Sequence, residues 1–199
     1  MITRREALQH VAALLGGAAL SGGDRLLAFS FNDATLQHAM ASGVGAFSAA
    51  DVALLDEIAE TILPETSTPG AKAAKTGAFM ALSASDVYTA ENQAIFRDGL
   101  RKVDEASVAA NGKSFMASTP AERLAVLHAL DREQKAAMDA RQNADEPRHY
   151  FRLMKELALL GYFTSEIGCT KALRYVESPG RFDPCAPHKP GDRAWAGHA

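Results

Sequence analysis

Apolar side chains recur at helical spacing along most of the chain after residue 47. The first clear stretch is SAADVALLDEIAETILP, residues 48–64, with Ser48 at the N-cap position and an acidic residue, Asp51, three places on. Its apolar positions lie on one stripe: Val52, Leu55, Ile58, Ala59 and Ile62. Pro64 ends the pattern, so we predict an amphipathic helix between these limits.

Two further helices are predicted before residue 113. Residues 71–88 show a weaker helical pattern, which we expect Gly77 to interrupt. The next helix begins after Thr89 as its N-cap and closes at Gly112, near the C′ position. Its apolar residues recur at helical spacing: Ile95, Phe96, Leu100 and Val103.

The clearest local helix signal is STPAERLAVLHALDREQKAAM, residues 118–138. Thr119 as N-cap, Pro120 at the first helical position and Glu122 at the third form a capping box. The spacing predicts four residues on the buried side: Leu124, Leu127, Leu130 and Met138.

The last third predicts two more helices. Residues 147–163, PRHYFRLMKELALLGYF, are apolar over most of the helix circumference, so this helix should lie centrally or against a partner. A sixth begins near Thr164 or Ser165 and runs through Leu173 and Tyr175 to Ser-Pro-Gly. Because no strand pattern of convincing length occurs, we predict an all-α fold: a single compact domain of about five to six helices.

The chain begins MITRREALQHVAALLGGAALSGG, in which Arg4 and Arg5 precede an apolar run, Val11 to Leu20. This is typical of a twin-arginine-type leader, and the run is too short to span a bilayer of ~30 Å. An ordinary amphipathic N-terminal helix is the alternative. Cleavage after Ser21 or Ala28, or retention as an anchor, stays open.

These patterns predict four regions along the chain. Residues 1–28 form the leader and residues 29–47 a linker without a sustained period. The helical domain covers residues 48–187, and residues 188–199 form a flexible tail.

Composition and sequence motifs limit the partners and cofactors to be expected for this chain. Apolar residues make up 47% of the chain and the net charge is −3, which gives no electrostatic reason to expect nucleic acid as a partner. Dinucleotide-binding, phosphate-loop and CxxC motifs are absent.

A single Glu-x-x-His motif, Glu146 to His149, is interpreted as an exposed polar pair, because a di-iron bundle needs two such motifs. A metal enzyme that uses this motif is an alternative. The acidic pair Asp56–Glu57 is expected on a solvated helix face.

Two cysteines, Cys169 and Cys185, are expected to form disulfide bonds in an oxidising compartment. An internal bridge would close a loop of about 15 residues, worth roughly 3 kcal/mol. Cys185 is also well placed to cross-link another chain. The sequence leaves both pairings open.

The most specific motifs are ETILPETSTPGA, residues 60–71, and GYFTSEIG, residues 161–168, which is followed by LRY, PG and Cys185. With these motifs the chain, over about residues 50–187, resembles the gluconate 2-dehydrogenase subunit 3 family. The resemblance implies a non-catalytic small subunit without a cofactor of its own. Its partner would be a large flavoprotein dehydrogenase of the glucose-methanol-choline type, which holds FAD and in some complexes an iron–sulfur cluster. A cytochrome c subunit with haem c would complete some of these complexes.

The resemblance also implies a location and a role. The small subunit would carry the export signal, Arg4 and Arg5, and would take the folded catalytic subunit to the periplasm, with membrane association through the complex. Partner-interface positions are expected among these residues: Tyr162, Phe163, Thr164, Glu166, Tyr175, Pro179, Gly180 and Phe182. Tyr162 and Phe163 are expected to leave the helix at Gly161 as exposed anchors. A self-sufficient, membrane-anchored periplasmic helical binding module is the alternative.

Overall fold

A computed structural model of the protein describes residues 33–143, 146–176, 178, 180, 185, 187 and 189–196. In this part of the chain six α-helices precede one π-helical turn: α1 (Asp33–Ser42), α2 (Ala49–Ile62), α3 (Thr76–Asp86), α4 (Ala90–Asn111), α5 (Pro120–Ala140), α6 (Tyr150–Phe163) and the turn Gly168–Ala172. Among the described residues β-structure is limited to two isolated bridges. The predicted all-α fold is confirmed.

Helix α3 lies at the centre of the domain and packs against α1, α2, α4 and α6. Eight of its eleven residues are buried, so it has no broad polar face. A helix buried on all sides shows little amphipathic period, which explains why the sequence pattern over this segment is weak. Gly77 does not interrupt the helix, contrary to expectation, but lies in its first turn.

Gly77 marks the closest approach between α2 and α3. The N-cap residue of α3, Lys75, has φ +54° and its side chain does not cap the helix. Instead, the Asp56 carboxylate on α2 accepts a hydrogen bond from the Gly77 N–H at 2.7 Å. A Cβ atom on Gly77 would lie 2.5 Å from the Asp56 backbone nitrogen, so only glycine fits. The expectation of a solvated Asp56 was wrong: it is 6% exposed.

A second acidic residue of α2, Glu60, holds the loop that connects α2 to α3. Its two carboxylate oxygens accept hydrogen bonds from the Glu65 N–H at 2.9 Å and the Lys72 N–H at 2.8 Å. A side chain at Gly70 would collide with this carboxylate. The motif of residues 60–71 therefore begins with the glutamate around which the following loop folds.

Glu57, between these two, joins α2 to α5. Its carboxylate forms ion pairs with Lys72 and Arg123, and the side chains of Glu57 and Arg123 are each only 13% exposed. Arg123 also donates to the Phe115 carbonyl at 2.9 Å, which secures the loop before α5. Glu57 too was wrongly expected on a solvated face, because the partners that cover it lie far away in sequence.

The predicted helix caps at Ser48, Thr119 and Gly112 are confirmed. Ser48 and Asp51 form the capping box of α2, and Thr119 and Glu122 form that of α5. The hydrogen bond from the Thr119 N–H lowers the pKa of Glu122 to about 2. Gly112 ends α4 with φ +70°, in the left-handed region.

Helix α1 lies where the sequence pattern indicates a linker. Among the side chains described in α1, Ala39 is buried and Leu36 is partly buried, so the helix shows no sustained period. After it, Phe47 is buried and packs edge-on against Phe96. This segment covers α2 and α3.

Two expectations about later helices were wrong. Leu124 is exposed on α5, and Val126 takes a buried position instead. The sixth helix is a short element whose π-helical turn ends at Ala172, so Tyr175 lies beyond it. There the Arg174 N–H donates to the Ala194 carbonyl at 2.8 Å, which draws the chain away from a helical path.

We predict that Asp56→Ala lowers the free energy of unfolding by about 1–3 kcal/mol, because the buried Gly77 N–H loses its acceptor. Asp56→Asn keeps an acceptor and should cost less. Burial raises the pKa of Asp56, against the Gly77 hydrogen bond that lowers it. The wild type should therefore lose stability relative to Asp56→Asn as the pH rises through the raised pKa, and recover it at lower pH.

Denaturant titrations of the three proteins between pH 3.5 and 8 measure both effects. Equal stability of Asp56→Ala and Asp56→Asn at every pH would contradict the capping role.

Candidate functional site

Helix α6, which carries the expected interface residues Tyr162 and Phe163, continues through Phe163 rather than breaking at Gly161. Tyr162 is 4% exposed, and its hydroxyl donates to the Pro69 carbonyl at 2.6 Å. It ties the loop between α2 and α3 to α6, so the expectation of an outward anchor at Tyr162 was wrong. Phe163 does reach the surface.

The solvent-facing stripe of α6 changes from charged to apolar along the helix. In its first half, Arg152 and Glu156 form an ion pair at 2.6 Å. One turn later the same stripe is apolar, with Leu159, Leu160 and Phe163 exposed by 36%, 52% and 36%. We call these three residues the terminal patch. Phe163 follows Leu159 by four residues and Leu160 by three, which places its ring beside both leucines on the helix surface.

A groove of about 320 Å³ borders the terminal patch, between α1, the start of α3 and the end of α6. We call it the side groove; its lining includes Leu36, Lys75, Phe79, Gly161, Thr164 and Glu166. At its floor, a Cβ atom on Gly161 would lie 2.5 Å from the Phe79 ring, so the glycine allows α3 and α6 to approach. Thr164, whose hydroxyl donates to the Leu160 carbonyl at 2.7 Å, lies where patch and groove meet.

The rest of the GYFTSEIG motif builds a tight turn after α6. The Ser165 hydroxyl donates to the Tyr162 carbonyl at 2.7 Å and accepts from the Gly168 N–H at 3.0 Å. A side chain at Gly168 would collide with the Tyr162 carbonyl. Ser165 and Gly168 therefore shape the turn, while Glu166 and Thr164 stay exposed.

The two cysteines are both described, and no disulfide joins them. Cys169 is buried, and its thiol donates to the Phe163 carbonyl at 3.2 Å. Cys185 is exposed. The internal pairing is thus not formed in this structure, and pairing of Cys185 with another chain stays a prediction.

The remaining expected interface residues lie toward the C-terminus or outside the described residues. Tyr175 is 46% exposed, and Gly180 is exposed with φ +69°. Near Tyr175, Arg174 stacks on the ring of Trp195, with 4.4 Å between guanidinium carbon and ring centroid. Four of the predicted positions lie outside the described residues: Arg4, Arg5, Pro179 and Phe182.

Glu146 and His149 have separate structural roles. The Glu146 carboxylate accepts from the Asn143 amide at 3.0 Å, in the turn before α6. His149 is the N-cap of α6: its Nδ1 accepts from the Phe151 N–H at 3.2 Å, and its Nε2 lies 3.3 Å from Glu133. Within the described ranges, no three His, Cys, Asp or Glu side chains are arranged to hold a metal ion.

Sequence reasoning missed Leu159 and Leu160. A signal was available, because these two leucines and Phe163 continue the stripe that Arg152 and Glu156 mark as solvent-facing. None of the helices in the described part of the chain is both long enough and apolar enough to cross a bilayer.

A family model described as gluconate 2-dehydrogenase subunit 3 matches residues 49–180. No curated protein matches the chain, and no solved structure does. The matched range contains α2 to α6, the terminal patch and most of the side groove.

Proposed function

Since this chain belongs to the gluconate 2-dehydrogenase subunit 3 family, we propose that it is the non-catalytic small subunit of a periplasmic dehydrogenase complex. Its partner is a large FAD-dependent dehydrogenase of the glucose-methanol-choline type, which oxidises a sugar, sugar acid, polyol or glycoside. FAD, and an iron–sulfur cluster where one is present, belong to that partner, and haem c belongs to a cytochrome subunit.

The observation that carries the proposal is the terminal patch. Three large apolar side chains lie together at the surface of a helix whose other exposed positions are charged. Moving one leucine or phenylalanine from water into an interface contributes roughly 1.5–3 kcal/mol when burial is complete. A compact cluster of this kind beside a groove suits a permanent partner more than solvent.

Export is the second part of the proposal. The pair Arg4–Arg5 and the apolar run Val11–Leu20 supply a twin-arginine-type leader. This route carries proteins that are already folded, and a flavoprotein with FAD bound is such a cargo. The small subunit then supports the folding and stability of the catalytic subunit and carries it across the membrane.

We predict that Leu160→Asp reduces recovery of the flavoprotein in an affinity pull-down from the periplasm by about tenfold or more, because an unpaired carboxylate in an apolar contact costs over 1.4 kcal/mol. The matched control is Leu124→Asp, an exposed leucine on α5 outside the patch. The flavin absorbance of the eluate measures recovery.

Equal losses of flavoprotein for both variants, or no loss for either, would argue against the patch as the interface. A wild-type chain that emerges alone, folded and colourless would favour the self-sufficient binding module.

We predict that replacing Arg4 and Arg5 by Lys removes both this chain and the flavoprotein from the periplasm. Cell fractionation followed by a dehydrogenase activity measurement shows where the partner accumulates. Flavoprotein that still reaches the periplasm with the variant would mean that it has its own export signal.

We predict that Cys185 forms a disulfide with the catalytic subunit, because Cys169 is buried in the turn after α6 while Cys185 is exposed. Non-reducing electrophoresis of the complex should show a band at the summed mass, which Cys185→Ser abolishes and Cys169→Ser retains. A band at this chain's own mass alone rules the cross-link out.

A further inference from the structure

We infer that, before the catalytic subunit binds, the chain's own apolar run Val11–Leu20 lies on the terminal patch and reaches into the side groove. The inference rests on the proposed function, because it assigns to the leader the surface that the partner later covers. Binding of the partner would then displace the leader and expose it for export.

The path of the chain supports this occupant. Helix α1 begins at Asp33, and Leu36, one turn into it, lines the side groove. The segment that precedes α1 therefore enters the described structure next to the groove. The burial of Ala39 and Phe47 fixes α1 in this position.

The preceding segment is long enough to cover the patch. Leu20 and Asp33 are 13 positions apart, and an extended chain spans at most about 3.3–3.6 Å per residue, or roughly 45 Å over this distance. The whole of α6, with 14 residues, is only about 21 Å long. The apolar run can thus reach the terminal patch from the start of α1.

The chemistry of the run fits the surface. Val11–Leu20 consists of leucine, valine, alanine and glycine, so it offers apolar side chains and little bulk to a narrow groove. Glu166, exposed at the groove edge, offers a counter-charge for Arg25, between the run and α1. A covalently joined segment is also favoured over a second copy, because a short tether gives an effective concentration in the millimolar range.

The consequence is a link between assembly and export. Leader and catalytic subunit would compete for one surface, so a chain without cargo would keep its leader covered. Since obligate interfaces bury roughly 2,000 Å² or more, the partner would bind more tightly than a ten-residue run and would displace it.

The test replaces Leu15 in the full-length chain with benzoylphenylalanine, purifies the chain without its partner, and maps the photo-cross-links by mass spectrometry. Cross-links within one chain to residues 73–79 and 159–167 are expected. They should fall at least fivefold in a Leu160→Asp background but not in Leu124→Asp, with circular dichroism confirming that both variants fold. Adding the catalytic subunit should remove these cross-links, because the partner displaces the leader from the patch.

Cross-links confined to other parts of the chain, cross-links between two copies, or no cross-link would each overturn the inference. Each of these results is compatible with recovery of the flavoprotein in the pull-down, since partner binding does not require a covered leader. Conversely, intramolecular cross-links at the patch without any co-purifying flavoprotein would reject the proposed function while leaving the covered leader in place.

Discussion

The fold depends on a buried carboxylate that holds its central helix. Helix α3 has no capping side chain of its own, and Asp56 on α2 supplies the acceptor for the Gly77 N–H. The two helices approach so closely that a side chain at Gly77 would meet the backbone of α2. Because α3 packs against α1, α2, α4 and α6, the position of α6 and of its exposed surface follows from this contact.

Helix α6 closes the core with one face and presents the candidate interface with the other. On its inner face, the Tyr162 hydroxyl donates a hydrogen bond to the Pro69 carbonyl in the loop between α2 and α3. On the same face, Gly161 has no side chain and therefore leaves space for the Phe79 ring. Its outer face ends in the terminal patch. The segments 60–71 and 161–168 thus meet in space at the hydrogen bond between Tyr162 and Pro69, and the second of them lines the side groove.

Local signals predicted much of the fold and less of the site. The capping residues Ser48 and Thr119 and the end of α4 at Gly112 stand where the structure has them, since a cap acts within about four residues. Helix α1 was not predicted, because few of its described side chains contact the core. Tyr162 was misplaced because a hydroxyl that bonds a carbonyl 93 residues away leaves no trace in its own neighbourhood.

The sequence by itself determined the helical class, the capped ends of α2, α4 and α5 and the family, because periodicity, caps and motifs are properties of neighbouring residues. Only the tertiary structure decided which apolar residues of α6 are covered and which are exposed. Leu157 and Leu160 are the same residue type one turn apart, yet the first is buried and the second is not. The same holds for Asp56, a carboxylate that looks solvated along the chain and is buried in the fold. Burial depends on elements that lie far away in sequence, and no local pattern records their positions.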